Sequence, residues 1–310
     1  MKKKVLLIVL LMLTMAVVAA CSRGDNSQPH SEPDFDFNVN PPIEVAELSP
    51  DQLLAVHFLD VGDGDAILLV QGDYSMLVDA GSSNMGTRVF QYLRSQGINN
   101  LNYIVNTHPF EDHLGGFPDV MRRMTVQNAL IPNVFHSSQC QRNFFEALET
   151  AATQNLNVSA PFAGEVFYLG DAQVTVLSPR MEDSFGTRAV PNYSIVLRVA
   201  FGDTSFLLMG DAMREVEAIL LDNPSNVLSS DVLKVARHGD SSATTSGFLD
   251  AVNPSIAVIS AERGSFRNTT EVNNRLANAH VHTFDTGNNG NIVITSDGVN
   301  ISVTVDRDTR

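Results

Sequence analysis

Ten residues constrain this chain more than any other stretch: Thr107 to Gly116, THPFEDHLGG. They follow an apolar run, Leu101 to Val105, that reads as a buried strand. His108, Asp112 and His113 fall within the segment, so two imidazoles and a carboxylate gather where the strand ends. Such a set offers nitrogen and oxygen ligands to a divalent metal. Leu114-Gly115-Gly116 then lets the chain turn into a helix, which holds Asp112 and His113 at its N-terminus.

Around this segment the patterning alternates strands with helices. Strands are expected at Leu53–Val61, Ala66–Gln71 and Met76–Asp79, and a helix over Thr87–Gln96 stops at Gly97. A short helix to about Met124, a strand Val126–Ile131 and an amphipathic helix Asn143–Gln154 follow the histidine segment. Two hairpins turn at Gly170-Asp171 and Gly202-Asp203. Beyond them come helix 213–221, strand 231–236, helix 244–252, strand 255–260, a helix near 270–278 and strands near 280–284, 291–295 and 299–305. This order suggests an α/β (α+β) domain of two face-to-face sheets covered by helices. The loop Arg180–Pro191 reads as an ordinary surface loop.

The first 21 residues read as a targeting segment: Met1-Lys-Lys-Lys, an apolar core from Val5 to Met15, and Val18-Ala-Ala-Cys21. The last four resemble a bacterial lipobox, in which Cys21 is lipidated and becomes the mature N-terminus. The chain is therefore expected to be exported and membrane-anchored as a lipoprotein facing outside the cytoplasm, held through that lipid only. Residues 22–50, rich in Ser, Pro, Asn and Asp, read as a flexible acidic tether, leaving 51–310 as one domain. With Cys21 modified, only Cys140 remains and no intrachain disulfide can form.

The formal charge is −15, from 20 basic and 35 acidic residues. Losing Lys2, Lys3 and Lys4 leaves 20 − 3 = 17 basic residues and a charge of 17 − 35 = −18. That argues against a broad phosphate-binding footprint, which needs clustered Lys and Arg. Taken singly, His30, His57, His136, His280 and His282 lack partner spacing and read as surface or core residues.

The segment THPFEDHLGG resembles the H-x-H-x-D-H signature of the metallo-β-lactamase fold, with Phe110 where the second histidine belongs. Other segments resemble the ComEC-like branch of that superfamily. Phe58–Ala66, FLDVGDGDA, is close to its F-L-D-V-G-Q-G-D-A opening. Leu77-Val-Asp79-Ala-Gly81, Met209-Gly-Asp211, Leu233-Lys-Val-Ala-Arg-His238-Gly (for L-K-V-x-H-H-G) and the closing GNIVITSDG extend the likeness over most of 54–298. Asp60, Asp63 and Asp65 lie in a Gly-rich turn that they can simply cap.

The resemblance implies a four-layer αββα sandwich. It implies metal ligands His108, Asp112, His113, Asp211 and His238, with Asp79 and Asn192 supporting them from behind. One subsite would use His108, position 110 and Asn192, and it is impaired because Phe110 has no lone pair to donate. The other, built from Asp112, His113, His238 and Asp211, is complete. One divalent metal is thus expected rather than two, zinc or else manganese. The implied chemistry is metal-assisted hydrolysis of a phosphodiester or related ester, small or polymeric, with hydroxide generated at neutral pH. Asp112 or Asp211 would orient water and accept a proton, and Arg237, replacing a histidine, would pair with an anionic substrate oxygen. Nucleic acid is a candidate by the same likeness, against the acidic charge.

A second reading is a degenerate module kept for surface binding. Phe110, Arg237 and the segment Glu262–Asn268 (ERGSFRN) favour it. A true β-lactamase is the least supported, since the local motifs belong to another branch.

Overall fold

Alternation along the strands sets the layers. The structure is a computed structural model that describes residue 49 and residues 52–308, except 154, 187–188 and 265–268. All of these belong to one unit, Ala46–Arg310. Cys21, the leader and nearly all of the tether expected over 22–50 lie outside the described residues.

The first sheet begins with β1 (Leu54–Phe58), β2 (Ile67–Gln71), β3 (Tyr74–Val78), β4 (Asn100–Val105), β5 (Thr125–Leu130) and β6 (Asn157–Ser159). The second holds β7 (Val166–Leu169), β8 (Ala172–Ser178), β9 (Val196–Phe201), β10 (Thr204–Leu208), β11 (Val232–Lys234), β12 (Ile256–Ile259) and β13 (His282–Asp285). The chain then returns to the first sheet with β14 (Ile292–Ser296) and β15 (Ile301–Val305), giving the orders β15-β14-β1-β2-β3-β4-β5-β6 and β13-β12-β11-β10-β9-β8-β7. β3 to β6 run parallel, as do β10 to β13.

Every second side chain faces the other sheet. Leu54, Val56 and Phe58 of β1, Ile67 and Leu69 of β2, Phe206 and Leu208 of β10 and Val258 of β12 share one buried cluster between the sheets. The intervening residues face outward into two further clusters. Leu68, Leu77 and Ile104 pack under α1 (Gly86–Ser95), through Val89 and Leu93. Phe117 and Val120 of α3 (Phe117–Met121) and Phe144 and Leu148 of α4 (Gln139–Ala152) complete that layer, after the single turn α2 (Glu111–Leu114). On the opposite side, Leu207, Leu233 and Ile259 pack under α5 (Arg214–Asp222), α6 (Ser246–Val252) and α7 (Thr270–Asn278). Three apolar layers between four layers of backbone make the expected αββα sandwich.

Two elements differ from the sequence reading. α4 starts at Gln139, four residues early, because the Ser138 side chain accepts from Gln141 N at 3.1 Å and caps it. The short helix before Met124 is split in two at Gly115-Gly116. A Cβ at Gly116 would stand 2.1 Å from the Ala80 carbonyl oxygen, so only glycine lets this loop lie against the end of β3. Among the described residues no helix is long and apolar enough to cross a membrane.

Candidate metal centre

Parallel strands present their carboxyl ends together, and there the sequence motifs meet. Asp79 follows β3, Thr107 and His108 follow β4, Asp211 follows β10 and His238 follows β11. Backbone hydrogen bonds knit three motifs into one floor. Asp65 N donates to Asp112 O (3.2 Å), Gly81 N to Asp65 O (2.7 Å) and Ala80 N to His113 O (2.7 Å). A Cβ at Gly64 would fall 2.3 Å from Asp112 O, which accounts for the glycine before Asp65.

Each histidine is aimed by a bond at its Nδ1. His113 Nδ1 lies 2.7 Å from Asp79 Oδ2, and His238 Nδ1 donates to Ser260 O at 3.0 Å. Thr107 Oγ1 donates to Asp79 Oδ2 at 2.6 Å, leaving its lone pair to accept from His108 Nδ1 at 3.2 Å. All three Nε2 atoms are therefore the free nitrogens, and they face one space. His113 Nε2 and His238 Nε2 each lie 3.5 Å from Asp211 Oδ1; His108 Nε2 is 3.7 Å from Asp211 Oδ2, and His238 Nε2 is 3.6 Å from Asp112 Oδ2. Two of the residue groups able to hold a metal ion are His108–His113–Asp211 and Asp112–His113–His238. The three Nε2 atoms and Asp211 Oδ1 are buried with no hydrogen-bond partner. Buried polar atoms normally find partners, so this group of orphans fits a cation.

The electrostatics agree. Burial works against a charge on His113, yet Asp79, Asp211 and Asp65 outweigh it and lift its pKa to about 10. His108, buried beside His113, is pushed down to about 3. Burial likewise opposes ionisation of Asp211, but the imidazoles of His238, His113 and His108 hold its carboxyl far below the usual range. The pocket thus carries a surplus of negative charge that a divalent cation would balance.

Residues outside this core fall into place unevenly. Phe110 packs edge-on against His108 (ring centroids 5.0 Å) and against His136 (5.3 Å), covering the side where the missing imidazole would sit. Asn192, expected to support the ligands from behind, is turned toward the chain that follows Asp211. Its Oδ1 accepts from Met213 N (2.9 Å) and its Nδ2 donates to Glu215 (3.2 Å), so both ends of the amide steady the chain after Asp211 and neither is turned to a metal. Arg237 and His238 are both left-handed, at φ 49° and 54°, a costly backbone that presents the two side chains on successive residues. Arg237 leans on Met213 Sδ and Ser242 Oγ, with Nε 4.0 Å from Asp211 Oδ2.

The sequence reading gave no role to Lys234. It is fully buried, and its Nζ lies 2.6 Å from Asp65 Oδ2 and 3.0 Å from Val235 O. The signal was in the alternation: in Val232-Leu233-Lys234, the lysine shares the inward face with core residue Val232. Asp65 in turn lies 3.9 Å from His113 Nδ1 and 3.8 Å from His238 Nδ1, behind the imidazoles.

Fold and site together define an αββα protein with a His/Asp cluster able to hold a divalent metal at the ends of its strands. Residues 59–139 match the metallo-β-lactamase superfamily, and the chain belongs to that superfamily. It is 27% identical over 228 residues to ComE operon protein 3 of Bacillus subtilis (68% of this chain, 28% of that protein). It is 31% identical over 213 residues to Recombination protein 2 of Haemophilus influenzae (67% of this chain, 24% of that protein). The chain spans about a quarter of the length of these curated relatives. Among solved structures, the metallo-β-lactamase fold protein YhfI of Bacillus subtilis superposes with a TM-score of 0.53 at 11% identity, over 78% of this chain and 100% of that one. At that identity the likeness speaks for the fold.

Proposed function

We propose that this protein is an extracytoplasmic, lipid-anchored metal-dependent hydrolase acting on a phosphodiester or related ester. The observation that carries the hydrolase reading is the convergence of three partnerless histidine Nε2 atoms on the Asp211 carboxylate, His113 and His238 at Oδ1 and His108 at Oδ2. His113, His238, Asp112 and Asp211 would hold one divalent ion, zinc or manganese, with His108 at its margin. Bound there, the ion would acidify water and polarise the scissile oxygen.

The chain's own groups do the rest. Asp79 and Ser260 O fix the two Nδ1–H tautomers so that the lone pairs stay inward. Asp112 is the most accessible carboxylate of the cluster, with a side chain 24% exposed. Burial opposes its ionisation, but His238, with Nε2 3.6 Å away, and His113 hold its carboxyl below the usual range, so it is ionised and placed to orient a water. The Arg237 guanidinium, part exposed beside Asp211, offers donors to an anionic ester oxygen. The name of one curated relative, Recombination protein 2, supports a nucleic-acid phosphodiester as substrate. The acidic charge favours short or single-stranded pieces over a long duplex.

The test is hydrolysis of bis(p-nitrophenyl) phosphate by the full chain with zinc or manganese. Turnover is expected and should fall by about three orders of magnitude in His113→Ala and Asp112→Asn. Metal binding without hydrolysis of any ester would favour the second reading, a degenerate module for surface binding, which the ring of Phe110 over the first subsite supports.

A further inference from the structure

Beneath the cluster lies an ion pair that the hydrolase reading does not use. Lys234, from the second sheet, reaches across the sandwich to Asp65, from the β1–β2 connection of the first, at 2.6 Å. Both are buried: Lys234 is fully so and Asp65 is 1% exposed. A buried ammonium in an apolar inter-sheet layer is a costly choice where a Leu or Met would pack as well. The pair is also asymmetric. Asp65 Oδ2 takes the ammonium, while Oδ1 is buried with no partner. Asp65 belongs with Asp211 and His238 to one group of possible metal-holding residues, and with Asp79 and His113 to another. It nevertheless faces the Nδ1 side of His113 and His238, opposite the convergent Nε2 atoms. It therefore stands behind the imidazoles, within reach by field but not as the ligand they surround.

We propose that Asp65 and Lys234 form a positioning pair that sets the affinity of the centre for its cation from below, the carboxylate drawing the ion in and the ammonium restraining it. This rests on reading the cluster as a metal centre. Asp65 lies 3.9 and 3.8 Å from two of the imidazoles, while among the described residues Lys234 Nζ forms an ion pair with Asp65 and with none of Asp79, Asp112 or Asp211, so the carboxylate's pull is taken to exceed the restraint. The pair also joins the two sheets directly under the site, so loading the centre and closing the sandwich reinforce each other.

The experiment measures the dissociation constant of zinc, and separately of manganese, for the full chain by competition with a chelating dye. Lys234→Met deletes a like charge and should tighten binding about tenfold or more. The neutral pair Asp65→Asn/Lys234→Met loses both charges, the attracting carboxylate included, and should bind more weakly than the natural chain. A purely structural pair would not tighten binding in any variant. Lys234→Met binding no tighter than the natural chain, with the neutral pair equal to either, overturns the proposal. If Lys234→Met does not fold, the neutral pair decides: affinity equal to or above the natural chain's overturns it. Failure of the metal reading looks different. The natural chain would then bind neither ion, and His113→Ala would change nothing.

Discussion

Phe110 packs its ring edge against His108, centroids 5.0 Å apart, on the margin of a cluster whose other imidazoles have free Nε2 atoms. The contact replaces a ligand with a hydrocarbon. It leaves His108 Nε2 3.7 Å from Asp211 Oδ2, with no hydrogen-bond partner. Phe110→His should raise the bound metal from about one equivalent to two, read by elemental analysis of the dialysed protein. A count that stays at one would mean the subsite lacks more than this ligand.

Asp79 is held at φ 56°, takes Thr107 N (2.8 Å) and Thr107 Oγ1, and orients His113. Asp79→Asn keeps the size but removes the charge that fixes the His113 tautomer. Metal affinity should fall by about 10- to 100-fold, measured by chelator competition, with a smaller effect on thermal stability in excess metal.

His57 gives a pH prediction away from the site. Its ring is buried against Tyr92, with Nδ1 2.9 Å from the hydroxyl, and burial lowers its pKa from 6.5 to about 4. The folded value lies below the unfolded one, so the unfolded chain takes up the proton first as pH falls. Stability from the neutral ring is complete above pH 6.5 and is lost between 6.5 and 4. Urea titrations at pH 7.5 and 4.5 should show the natural chain losing roughly 2 kcal/mol more than His57→Phe does. Equal losses would contradict this.

How much of this was readable in advance follows from range. The hairpins at Gly170-Asp171 and Gly202-Asp203 form where expected, because turn chemistry is local. The strand β6 was missed: three exposed residues carry no apolar alternation. The histidine segment was legible because its side chains lie within one loop. Asp65 and Lys234 are 169 positions apart, and no local pattern announces their pairing. Asn192 was placed behind the ligands by motif position alone, and its partners Met213 and Glu215, more than 20 positions on, are visible only in the fold.

The lipid anchor proposed from Val18-Ala-Ala-Cys21 is open to a simple check. Cys21→Ala should abolish incorporation of labelled fatty acid and shift the protein out of the membrane fraction. Unchanged fractionation of the variant would remove the lipoprotein reading and leave the hydrolase reading untouched.

The most direct measurement is anomalous diffraction at the zinc edge from crystals of the zinc-loaded protein. One strong peak should lie about 2.0–2.3 Å from His113 Nε2, His238 Nε2 and a carboxylate oxygen of Asp211 or Asp112. No peak at this cluster, or a peak held by other side chains, would contradict the account.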